Sequence, residues 1–115
     1  MKDRIDFAVG VIKEFSLEEL RAKGFSTIIL NDYSVDILVE LENKRIRIQF
    51  SLHHLDLPWE LNVSHQKILS INQNEGETQW NKVSGVYYVT PKILNDDEAL
   101  SNLIRSALSE ANLGD

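Results

Sequence analysis

His53, His54, Asp56 and His65 are the residues of this chain that come closest to a metal-ligand set. A zinc site generally needs three or more imidazole, carboxylate or thiolate ligands. Successive residues of a strand point to opposite faces, so His53 and His54 cannot both join Asp56 in one site. No metal is therefore expected. Cysteine is absent, which removes disulfides, thiolate nucleophiles and thiolate-bound zinc. No Gly-rich phosphate loop, nucleophile elbow, His-Glu-x-x-His or calcium loop is present. No cofactor is expected and no catalytic residue is assigned.

The other polar constellation lies within Tyr33 to Leu52, YSVDILVELENKRIRIQFSL. Asp36 faces the same way as Gln49 and Ser51, beside a mixed-charge ladder of Glu40, Glu42, Arg45 and Arg47. The elements that position them are two strands. Val35, Ile37, Val39 and Leu41 alternate with polar neighbours on one arm, and Ile46, Ile48, Phe50 and Leu52 do so on the other. This period of two places each set on one face of a hairpin. A two-residue loop at Asn43-Lys44 sets Val39 opposite Ile48, Ile37 opposite Phe50 and Leu41 opposite Ile46. It also pairs Glu40 with Arg47 and Glu42 with Arg45. Asn43 suits a loop that needs positive φ. A one-residue slip would set Val39 against Arg47 and is rejected. The apolar face needs a cover.

Around this hairpin the chain reads as an α+β domain. Residues 3–23 predict an N-terminal helix with Ile5, Val9, Ile12 and Phe15 on one stripe. Gly24 is its stop, and a capping pattern at Ser16–Glu19 allows a break. Strands are predicted near 26–30, 33–41, 45–52 and 83–90. The first three form an antiparallel meander in which Ile28 lies by Val35 and Leu30 by Tyr33. Val83–Thr90 is apolar on both sides, as for a strand covered on both faces. Asn72–Lys82 reads as a polar loop. Residues 96–112 predict a C-terminal helix with Leu100, Leu103, Ile104, Ala107, Leu108 and Ala111 on its apolar stripe, and carboxylates at 96–98 in its first turn. Residues 58–72 fit helix and strand equally. Pro58 could open a helix, but Trp59, Leu61 and Val63 alternate and Asn62 to His65 are poor helix formers. Of Trp59 and Trp80, at least one is expected to cap the core.

With 58–72 as a helix, the element order over residues 3–90 resembles the core of the restriction-endonuclease-like superfamily. That resemblance implies Asp36 as the first metal-binding acid. The place of the family's Glu-x-Lys falls on Gln49-Phe50-Ser51, which lacks both carboxylate and lysine, while Glu42-Asn43-Lys44 sits in the turn. The resemblance thus implies a degenerate, inactive relative. The plainer reading, preferred here, is that Asp36 faces solvent in an α+β domain of another kind.

The chain has 115 residues, 43% of them hydrophobic, and a net charge of −6. One domain, 1–115, is expected, with enough apolar residues for a core. The acidic balance argues against nucleic-acid or anionic-membrane binding, which need a basic face. The first residues do not read as a signal peptide, and no stretch approaches the ~20 apolar residues of a membrane span. The expected protein is a small acidic, non-catalytic interaction domain of the bacterial cytoplasm, such as an immunity protein, an inhibitor or a small chaperone. Its protein partner would contact Glu40, Arg45, Arg47, Gln49, His54 and Trp59. A structural homodimer is the remaining alternative.

Overall fold

A computed structural model describes residues 2–52, 59–67 and 81–113, with the backbone alone for 67 and 81–84. The elements are α1 (Lys2–Glu18), β1 (Gly24–Asn31), β2 (Ser34–Glu40), β3 (Lys44–Ser51), β4 (Trp59–Lys67), β5 (Asn81–Val89), α2 (Pro91–Leu94) and α3 (Asp97–Leu113). All five strands form one antiparallel meander in the order β1-β2-β3-β4-β5. This is the expected α+β arrangement of a meander with a helix at each end. Trp59–Lys67 is a strand, not a helix. It pairs with β3 on one side and β5 on the other, so the element order behind the nuclease resemblance is not the order of this fold.

Strand alternation builds the core as the apolar pattern requires. Val35, Ile37, Val39, Ile46, Ile48, Phe50, Trp59, Leu61, Val63 and Val89 are all buried on one face. Against them lie Ile5, Ala8, Val11 and Ile12 of α1, and Leu100, Ile104, Ala107, Leu108 and Ala111 of α3. Each such side chain contributes roughly 1.5–3 kcal/mol on full burial. Val9, Phe15 and Leu103 of the predicted stripes are partly buried at the margin of this core.

Register differs from the expectation in two places. Between β2 and β3, Val39 faces Ile46, Ile37 faces Ile48 and Glu40 faces Arg45. The loop is Glu42-Asn43, closed by the Leu41 amide donating to the Lys44 carbonyl at 2.8 Å. The two-residue shift preserves both faces, so face patterning could not detect it. It makes Lys44 the first residue of β3, from which its Nζ donates to the Ala111 and Asn112 carbonyls (3.2 and 2.8 Å) at the end of α3. Asn43 does not adopt positive φ. Between β1 and β2, Ile28 faces Asp36 rather than Val35. An irregularity between Ile29 and Asn31 inserts the extra residue, and the Asn31 Oδ1 accepts from the Tyr33 amide at 2.7 Å. The turn is Asp32-Tyr33, and β2 starts at Ser34 rather than at Tyr33.

The first helix runs unbroken through Gly10 and ends at Glu18, short of the expected Lys23. Ser16 lies inside it, fully buried, and caps nothing. Arg21, at φ 54°, turns the chain in place of Gly24, and the Ala22 amide donates to the Ser16 carbonyl. Gly24 instead begins β1. At the other end Thr90 caps the short α2, with Pro91 in its first turn. The Asp96 Oδ1 then accepts from the Ala99 amide at the start of α3. Arg4 of α1 binds Asp97 at 2.6 Å and ties the two helix starts together. That hydrogen bond to Asp97 raises the Arg4 pKa above its usual value.

Candidate functional site

Because both long helices lie on one face, alternation sends a second row of side chains to the other. Asp36, Leu38, Glu40, Arg45, Arg47, Gln49, Glu60, Asn62 and Tyr88 occupy it by register. None of them is buried, and no described element covers this face. Ile28 and Tyr88 are its most open apolar members, 58% and 62% exposed.

Its geometry centres on Asp36 and Arg47. Arg47 Nε donates to Oδ1 at 3.2 Å and Nη2 to Oδ2 at 2.9 Å, a two-point contact running diagonally across β2 and β3. Fork-on-carboxylate pairs fix orientation as well as distance. The hydrogen bonds that Arg47 donates to Asp36 raise the Arg47 pKa, outweighing the opposing effect of partial burial. Arg45 and Glu40 approach to 3.5 Å where the strands meet their loop. A shallow depression of about 180 Å³ lies beside Arg47, floored by Ile28 and Leu38 and edged by Ser26 and Asp36.

Of the six residues expected to contact a partner, Glu40, Arg45, Arg47 and Gln49 share the open face of the sheet. His54 lies outside the described residues, as do His53, Asp56 and Trp80 and the 68–80 part of the expected polar loop. Trp59 is on the opposite face, 3% exposed, its ring stacked on Phe50 with centroids 4.8 Å apart. Strand parity explains this. Glu60 faces Ser51 on the open side, so Trp59 must face inward. His65 also points inward, opposite Ile46, with both ring nitrogens buried and without a hydrogen-bond partner among the described residues.

Gln49 does sit directly opposite Asp36. Asp36 is engaged by Arg47, and among the described residues no three His, Asp or Glu side chains come together to hold a metal ion. Sequence reasoning missed Tyr88. Val83–Thr90 was expected to be covered on both sides, whereas β5 is an edge strand with one covered face. Tyr87 turns inward, where its hydroxyl donates to Glu110 of α3, and Tyr88 turns out. The adjacent pair Tyr87-Tyr88 was the available signal, since neighbouring strand residues cannot share a face. In comparisons with known proteins, the chain matches no family model, no curated protein and no solved structure.

Proposed function

We propose that this protein is a non-catalytic protein-interaction domain, in the manner of an immunity protein, inhibitor or small chaperone of the cytoplasm, and that it docks its partner on the open face of the sheet. One observation carries the reading: a five-stranded sheet with both long helices on one face presents the other as a broad, half-exposed surface. Arg45 and Arg47 nearly balance Asp36, Glu40 and Glu60 there, although the chain as a whole carries −6. A protein can approach this face without meeting the net negative charge elsewhere. Arginine held in a fixed orientation and exposed tyrosine are residue types enriched at interface hot spots. The fitting partner is a protein surface of mixed polarity with an apolar side chain for the depression between Ile28 and Leu38.

The test compares cross-linked partners captured from the source organism by three forms of the chain. Arg45→Ala combined with Tyr88→Ala alters the face at one half-buried and one exposed position. Arg105→Glu alters the helical side, where Arg105 is also exposed. A partner held by the wild type and by Arg105→Glu, and lost by the double variant with its circular dichroism unchanged, is the expected result. Equal capture by the double variant removes the open face as the docking surface.

A further inference from the structure

At its β1 edge the sheet ends in a strand whose outer side no other described strand pairs. Gly24–Asn31, GFSTIILN, contains no charge and no proline, the two devices that most often stop an edge from pairing. The β5 edge differs in where it is interrupted: Gly85 sits mid-strand at φ +83° beside the register break with β4, whereas the irregularity of β1 lies at its end, beyond Ile29. Along β1, Ile29 and Leu30 are 56% and 61% exposed, and Ile28 is open as well.

The hydrogen-bond pattern states which backbone groups face outward. The Leu41 amide bonds the Lys44 carbonyl, and the Leu52 amide bonds the Tyr33 carbonyl. Odd-numbered residues of β2 therefore aim at β3 and even-numbered ones at β1, as the Lys23 amide to Glu40 carbonyl bond also shows. Through the pairs Gly24↔Glu40, Ser26↔Leu38 and Ile28↔Asp36, the even residues of β1 aim inward. Phe25, Thr27 and Ile29 are left with their N–H and C=O groups on the free edge.

We propose that β1 pairs with β1 of a second copy of this chain, antiparallel about a two-fold axis at Thr27, to make one continuous sheet. Both copies must keep their helices on the same side, so odd residues must face odd residues across the axis. Centring on Thr27 pairs Thr27 with Thr27 and Phe25 with Ile29, and engages all three outward residues of each strand. Centring on Ile28 would oppose Phe25 to Asn31, which aims at β2, and lose part of the ladder.

Two further features fit a second copy rather than an unrelated strand. Thr27 is partly exposed at the centre of this edge. On the axis it meets its own counterpart, a cross-strand threonine pair. The strand is uncharged, but exposed Lys23 and exposed Asp32 flank it with opposite signs. Antiparallel self-pairing carries each Lys23 toward the Asp32 of the other copy, on both sides of the axis. Ile29 gains the ring of Phe25 as its cross-strand neighbour.

The experiment is sedimentation of the full chain between about 1 μM and 1 mM, with hydrogen exchange at both ends of that range. The expected species has twice the 13.2 kDa chain mass. Amides of Phe25, Thr27 and Ile29 should gain protection with concentration, while those of Ser26 and Ile28 are protected throughout. Ile29→Lys, at an exposed position, should weaken association at least tenfold. Lys23→Glu should weaken it by roughly 2- to 30-fold, through loss of two surface ion pairs, and Asp32→Lys in the same chain should restore it. The rescue remains a test even if Ile29→Lys fails to fold. A monomer at every concentration overturns the proposal. So does a dimer indifferent to these changes, or one whose Phe25, Thr27 and Ile29 amides stay unprotected.

Discussion

Trp59→Ala should destabilise the fold severely. The indole is 97% buried by the 3% exposure it retains, and it stacks on Phe50 at 4.8 Å and 21°. Truncating a buried tryptophan to alanine costs about 3–5 kcal/mol, cavity included. The stack accounts for roughly 0.5–1.5 kcal/mol beyond area. A chain of this length has a total stability of about 6–17 kcal/mol at 0.05–0.15 kcal/mol per residue, so the substitution removes a large share. Trp59→Phe should behave differently. The indole Nε1 is buried without a hydrogen-bond partner among the described residues, so phenylalanine removes an unsatisfied donor while keeping an aromatic ring on Phe50. Its cost should stay below about 1.5 kcal/mol. Urea unfolding followed by far-ultraviolet circular dichroism measures both. If Trp59→Ala costs less than about 1 kcal/mol, Trp59 is not a core residue and the inward parity of β4 is refuted. A solvent-facing Trp59 would give a change within about 0.5 kcal/mol.

His65→Leu should stabilise the protein by about 1–3 kcal/mol, because leucine at this 2%-exposed core position leaves no ring nitrogen unsatisfied; a lower urea midpoint than wild type would refute it. Gly85→Ala should cost about 1–2 kcal/mol from the left-handed backbone alone, since nothing lies within 4 Å of the added Cβ; an unchanged thermal midpoint would contradict the φ of +83°. Lys44→Met should cost about 1 kcal/mol by uncapping the end of α3, and the difference should shrink as salt rises. A cost independent of ionic strength would assign the loss to packing of the Lys44 stem instead.

Much of the fold was legible because alternation is a local property. Val35, Ile37, Val39, Ile46, Ile48 and Phe50 could be assigned to one face from spacing alone, and all six are buried together. The stripe on α3 was equally plain, since it repeats over several turns of a helix with carboxylates at its start. Four residues of the open face, Glu40, Arg45, Arg47 and Gln49, followed from the same alternation. Tyr88 did not, because an apolar residue on the exposed side of an edge strand looks in sequence like one buried in a central strand.

The sequence by itself determined which residues of the hairpin share a face, near which ends of the chain the helices lie and, lacking cysteine, that no thiolate chemistry is available. Tertiary structure decided how those faces meet. Residues 59–67 carry both helical and strand spacing, and they form a strand because β3 and β5 supply ladders on both sides. The β2–β3 register moved by two residues, a shift to which face pattern is blind; as the first residue of β3, Lys44 reaches the carbonyls ending α3, 67 and 68 residues away. The irregularity at Ile29–Asn31 turned Ile28 outward. His53, His54, Asp56 and His65 looked like one polar group in sequence, yet inward parity on β4 puts His65 in the core with Trp59. Local spacing fixes the side of a strand on which a residue stands, but long-range pairing fixes what stands opposite.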